Sequence, residues 1–205
     1  AIAAPAEVSG SGAEGSLSFD VTFGFDGAYT AGVHGLNPAT TFDGTVPDDP
    51  GDSFEPGGPG TVFYDIAIPA GTAYARFALF DDFTDGNDDL DLYVYRGSTL
   101  VGGSGSGTST EEVNLVLPAA DTYRVWVHGW QTDGPDSNFT LFSWQVGLVD
   151  DAGNMTVSAP TSAATAATES IGVSWSGLDP DQKYLGAVSH SGPGGLLGLT
   201  VVAIN

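Results

Sequence analysis

Between Asp81 and Asp91 the chain reads DDFTDGNDDLD, so six of eleven residues are Asp, with Gly86 and Asn87 among them. A flexible, oxygen-rich turn of this kind suits a hard cation. Calcium takes six to eight oxygen ligands from carboxylates, carbonyls and water, and a divalent ion relieves the repulsion of bunched acids. The regular D-x-D-x-D-G calcium loop is absent, and a solvated acidic turn accounts for the same composition. Asp89 and Asp91 are two apart on a predicted strand and share a face, which lets both meet one ion while Leu90 and Leu92 point into a core. Asp82, Asp85 and Asn87 are the loop candidates.

Other chemistries find less support. The histidines are His34, His128 and His190. None lies near a G-x-S-x-G elbow, and Ser189-His190-Ser191 places neighbours on opposite strand faces, where no Ser–His dyad forms. Three dispersed His argue against zinc. Nothing selects a carboxylate pair for glycoside chemistry. No cysteine occurs, so thiolate and disulfide chemistry are excluded. The expectation is a chain without a catalytic site of its own.

The balance of charge narrows the partners. Twenty-six acids face only Arg76, Arg96, Arg124 and Lys183, a net charge of −22. Binding to nucleic acid or anionic lipid is excluded on that ground. Most of the acids are Asp, which favours turns, so the acidity belongs to loops. No apolar run of membrane-spanning length and no signal peptide are visible. The opening AIAAPAEVSGSG reads as a linker tail, and the whole as a secreted, extracellular segment.

The elements that would position these residues are strands. From Leu17 to Phe25 apolar residues alternate strictly, putting Leu17, Phe19, Val21, Phe23 and Phe25 on one face. Comparable runs occur at 29–33, 61–68, 73–80, 90–95, 113–117, 123–130, 138–146, 155–158, 171–175, 184–189 and 197–203, each bounded by Gly, Pro, Asp or Ser. The predicted class is all-β, two antiparallel β-sandwiches. Residues 37–60 are too rich in Pro, Gly and acid to suggest a strand, Ser162–Thr168 reads as a polar loop, and another break lies at 150–154. These breaks divide the chain into a middle sandwich, 48–150, inserted in a discontinuous one built from 8–47 with 151–205; the alternative is a purely sequential chain whose first hairpin joins the middle sandwich. On the predicted strand 123–130, Tyr123, Val125 and Val127 face the core. Trp126, His128 and Trp130 share the opposite side with Arg124, an expensive set to leave in water. Packing against a neighbouring sandwich or sheet edge would cover it, and a platform for polysaccharide or fibrous protein would use it.

Two motifs resemble a known family. Asp89-Leu90-Asp91-Leu92-Tyr93-Val94-Tyr95 and Leu117-Pro118-Ala119-Ala120-Asp121-Thr122-Tyr123-Arg124-Val125 are similar to the D-L-D-L-Y-x-Y strand and L-P-x-x-G-x-Y-x-V turn of bacterial pre-peptidase C-terminal domains, with Asp121 where the family usually has Gly. VSWSGLDPDQKYLGAVSHSG and FGFDGAYTAGVHGL resemble fibronectin type III-like tail segments of actinobacterial subtilisin-like serine proteases. The resemblance implies a jelly-roll-like middle sandwich, a fibronectin type III-like outer one, and an upstream catalytic domain as partner in the same chain. By position, it adds Asp48, Asp49, Asp52 and Glu55 to the calcium ligands. The function it implies is a non-catalytic accessory region of a secreted peptidase, aiding stability, secretion or contact with a protein or polysaccharide substrate. The alternative is a stand-alone adhesion or carbohydrate-binding module.

Overall fold

The computed structural model describes residues 1–205 and is all-β, with antiparallel sheets packed as sandwiches. In order the strands are β1 (Ile2–Ala3), β2 (Glu7–Gly10), β3 (Gly15–Phe23), β4 (Gly27–Ala28), β5 (Thr30–Pro38), β6 (Thr40–Pro47), β7 (Thr61–Ile68), β8 (Thr72–Leu79), β9 (Asp89–Arg96), β10 (Thr99–Ser104), β11 (Glu111–Val116), β12 (Asp121–Gln131), β13 (Asp136–Gly147), β14 (Met155–Ser158), β15 (Ser162–Ala163), β16 (Thr168–Trp175), β17 (Tyr184–Gly192) and β18 (Gly195–Ile204). One turn of 3₁₀-helix, Asp81–Phe83, interrupts them. No helix is long and apolar enough to cross a membrane.

The chain divides into two compact units, 1–39 with 146–205, and 40–145. The inserted unit packs sheet β10-β9-β12-β7 on sheet β11-β8-β13-β6. Alternation explains its core: Leu90, Leu92 and Val94 of β9 and Tyr123, Val125 and Val127 of β12 meet Ala75, Phe77 and Leu79 of β8 and Phe139 and Leu141 of β13. Phe77 is fully buried, and truncating such a ring typically costs about 3–5 kcal/mol.

The outer unit builds sheet β1-β3-β16-β14 and sheet β2-β18-β17-β5, with a short ribbon of β15 on β4. Phe19, Val21 and Phe23, the alternating face of β3, enter a core with Ile171, Val173, Trp175, Val188, Val202 and Ile204. Phe25 lies beyond the strand end and packs only at the margin of that core. One pairing is parallel: β2 runs along Val201–Ile204 of β18.

Several strands depart from the sequence reading. The opening expected to be a linker tail carries β1, paired with Thr22–Phe23 of β3, and β2, paired with β18. Residues 40–47 form β6, which pairs with Asp136–Ser143 of β13, so the boundary of the inserted unit falls at Thr40 and not at Asp48. Its alternation is diluted by Gly44 and Thr, yet Val46 is buried and Phe42 packs against the core. As an edge strand it tolerates the Pro at its end. Ser162–Ala163 is a strand, pairing with Gly27–Ala28. β10 carries two glycines and a bulge between Leu100 and Gly102, which hid its period.

Candidate functional site

The acidic turn follows β8, passes through the 3₁₀ turn and enters β9. Its loops are tied to two others. Ser109, fully buried, donates its hydroxyl to the Asp88 carbonyl at 2.8 Å and accepts from the Leu90 N–H at 3.2 Å. The Ser109 N–H donates to Asp81 Oδ1 at 2.7 Å. Asp88 Oδ1 accepts from the Asp133 N–H at 2.8 Å, and Asp133 Oδ2 accepts from the Asn87 N–H at 2.9 Å. Between them sits Gly86 at φ +71, where a Cβ would lie 2.5 Å from the Asp133 carboxylate. Only glycine fits that turn.

The result is a polar cavity of about 220 Å³ lined by Asp81, Thr84, Asn87, Asp88, Asp89 and Gln131, together with Gly86, Gly107 and Thr108. Asp88 is 8% exposed, and its Oδ2, like Asp89 Oδ1, is buried without a hydrogen-bond partner. Buried carboxylate oxygens left so are costly. Burial, then the charges of Asp91, Glu111 and Asp81, push the Asp89 carboxyl up. Excess negative potential and orphaned oxygens are what a cation would relieve. No three Asp, Glu or His side chains close on one point. An ion here would therefore draw on Asp88 and Asp89 together with amide and hydroxyl oxygens of the lining and water, a mixture calcium accepts.

Several expected ligands are placed elsewhere. Asp91, although on the same strand face as Asp89, turns away from the cavity: its Oδ2 accepts from the Tyr93 hydroxyl at 3.2 Å and lies 3.6 Å from His128 Nδ1. Asp49 reaches His128 from the other side, with Nε2–H donating to Asp49 Oδ2 at 2.9 Å. Asp91 and Asp49, both among the expected calcium ligands, thus share a histidine. Asp49 also accepts from the N–H groups of Gly51 and Ser53, and the His128 bond, helped by these two, holds its carboxyl down at about 2. Burial opposes charging of His128, but the carboxylates of Asp91 and Asp49 outweigh it and hold the imidazole above its ordinary value. Asp48 is bonded by the Thr132 N–H and hydroxyl. Asp85 accepts from the Asn138 N–H and side-chain amide, both at 2.6 Å, and the Asn138 N–H leads in holding its carboxyl low. Asp82, Asp52 and Glu55 are exposed. Of the expected set only Asp89 and Asn87 line the cavity, and Asp81, Asp88 and Gln131 join them. Asp81 and Asp88 belong to the same acidic run.

The aromatic face of β12 is also corrected. The segment 48–60 crosses it as a strap, with Phe54 stacked on Tyr93 (centroids 3.9 Å apart, 11° between planes) and edge-on to Trp126 and His128. Trp126 is 7% exposed and His128 fully buried, which leaves Trp130, at 36%, as the only one of the three open to solvent. Where β6 runs into the strap, the chain can approach β12 closely because β12 carries Gly129, whose added Cβ would lie 2.4 Å from the Pro47 carbonyl. A substrate platform on Trp126 and His128 is therefore ruled out by cover that the chain supplies itself.

The outer unit holds two buried histidines, His34 and His190. His34 Nε2 lies 2.8 Å from Ser189 Oγ on the neighbouring strand, with no carboxylate bonded to His34 Nδ1. In comparisons with known proteins, no family model and no curated relative matches the chain.

Proposed function

We propose that this chain is a non-catalytic accessory region of a secreted subtilisin-like peptidase, whose inserted sandwich is stabilised by calcium in the cavity of Asp81, Asp88 and Asp89. The observation that carries the calcium reading is the pair of buried, unpartnered carboxylate oxygens on Asp88 and Asp89. Support for the peptidase setting is the likeness of the 89–95 and 117–125 motifs to pre-peptidase C-terminal domains, together with an all-β scaffold in which both motifs begin strands of one sheet. The chain's own residues would hold the ion by carboxylates and amide oxygens, and the ion would neutralise the charge that burial has concentrated at Asp89.

The test is thermal unfolding with calcium and with chelator at high salt, which screens the general acidic repulsion. An ion at a hundred times its dissociation constant adds about 2.7 kcal/mol, so chelation lowers the melting temperature by several degrees. Asp88→Asn and Asp89→Asn abolish that shift, whereas Asp91→Asn retains it. Equal melting temperatures for the wild type in both conditions would remove the ion from the proposal. A full reading frame without a peptidase domain upstream would remove the peptidase setting.

A further inference from the structure

A second cavity lies on the outer face of sheet β11-β8-β13-β6 in the inserted unit, and of the calcium cavity's lining it shares only Thr84. It is an open cleft of about 540 Å³ between Asp43, Gly44 and Thr45 of β6, Asn138, Phe139 and Thr140 of β13, and Phe83, Thr84 and Asp85 of the turn. That volume falls within the ~300–1,000 Å³ of small-molecule sites. The turn is pinned alongside β13 by a Thr84–Phe139 bridge and by the Asp85 N–H donating to the Asn138 carbonyl at 3.1 Å.

The polar groups of the cleft are already oriented by one another. Thr140 Oγ1 donates to Asp43 Oδ1 at 2.7 Å, Thr45 Oγ1 to Asn138 Oδ1 at 2.6 Å, and Thr84 Oγ1 to the Asp81 carbonyl at 3.0 Å. With the threonine protons committed, what faces a ligand is a fixed set of acceptors, so the ligand must bring donors. Asp85 has both oxygens bonded by N–H or O–H groups, which spreads its charge and weakens its pull on a simple cation. No Lys or Arg lines the cleft, and the net charge of −22 disfavours an anion. On one flank the Phe83 ring is 43% exposed and braced at 4.9 Å against Phe142, a held aromatic surface that loses little freedom on binding.

We propose that this cleft binds a neutral oligosaccharide, with Phe83 lying against the C–H face of one sugar ring and Asp43, Thr45 and Thr140 accepting from its hydroxyls. A polyol supplies the donors, carries no charge for the acidic surface to repel, and has one apolar face for the ring. The site does not depend on the peptidase or calcium readings.

The experiment is isothermal titration of the whole chain, in calcium and in chelator, with cellohexaose, xylohexaose, laminarihexaose, maltohexaose and chitohexaose, and separately with calcium and arginine as controls. The expected result is saturable binding of at least one hexasaccharide in both conditions. Asp43→Ala and Phe83→Ala each weaken it at least tenfold, with the melting temperature of the Asp43 variant unchanged so that a folding defect in the Phe83 variant cannot carry the conclusion. Absence of binding to all five sugars at millimolar concentration overturns the proposal. So does sugar binding unchanged in the Asp43 variant, or a response that Asp43→Ala removes with calcium or arginine but with no sugar.

Discussion

Lowering the pH toward 5 removes stability from the outer unit through one fully buried side chain, His190. Its Nε2–H donates to Thr200 Oγ1 at 2.9 Å, Thr200 passes its own proton to the Pro5 carbonyl at 2.8 Å, and Nδ1 accepts from the Tyr29 hydroxyl at 2.6 Å. Both ring nitrogens are thus satisfied with the imidazole neutral, and a second ring proton would face a hydroxyl already donating. Burial pushes the His190 value down from 6.5 to about 4 and the Tyr29 value up to about 12. Above pH 6.5 folded and unfolded chains are both neutral at this residue and it adds no pH dependence. Between 6.5 and about 4 the unfolded chain binds a proton that the folded one refuses, so stability falls as pH falls. At 1.36 kcal/mol per pH unit the gap caps the loss at about 3 kcal/mol, with about 2 reached by pH 5. As an order of magnitude, the loss at pH 5 is about 1–2 kcal/mol. The assay is urea unfolding of wild type and His190→Gln at pH 7.5, 6.5, 5.5 and 5. Groups elsewhere titrate in both proteins and cancel in the difference. The wild type should lose about 1–2 kcal/mol more than the variant across this range, and parallel pH profiles would refute the buried neutral chain.

Two further outcomes follow from the inserted unit. Asp49→Ala removes the only hydrogen-bonded acceptor of the His128 Nε2–H and loosens the strap, so chymotrypsin should cut after Phe54 faster than in wild type while cleavage elsewhere is unchanged; equal rates would show that stacking alone holds it. A fragment spanning 40–145 should unfold cooperatively, whereas 48–150, which lacks β6 and uncovers the edge of β13, should aggregate; calorimetry and light scattering separate the two, and a well-behaved 48–150 would deny β6 its place in the sandwich.

Periodicity made much of this fold legible. Thr61–Ile68 and Met155–Ser158 were read to the residue, and the inward parity of Tyr123, Val125 and Val127 holds in the core. What composition blurred was the boundary inside 37–60, where one strand and one strap share the same Pro, Gly and Asp. The strand is recoverable from Phe42, Gly44 and Val46; the strap is not, because its anchors lie far away in sequence. Asp49 and His128 are 79 residues apart, and no local pattern announces that a histidine will take both Asp91 and Asp49 as partners. The same holds for Ser109 and Asp133, whose backbone and hydroxyl contacts give the acidic turn its shape. Local spacing marks the acidic turn, and long-range hydrogen bonds decide which of its carboxylates face the cavity.

The pairing of Thr40 with Ser143 has a consequence for how the chain folds. These residues stand opposite each other on β6 and β13, near the two ends of an insertion that runs from 40 to 145. Once the insertion has folded, its ends are one ladder step apart, and to the outer unit it is no longer a tether of more than a hundred residues but a turn of hairpin length. Closing a flexible loop of that size carries an entropy cost on the order of 4 kcal/mol. An early-folding insertion bears that cost in its own nucleation, so the chain left between β5 and β17 is in effect about 40 residues, from Ser143 to Tyr184, instead of about 145. Slowing the insertion, by a core substitution such as Phe77→Val, should then delay the outer unit as well, although no residue of the outer unit has changed.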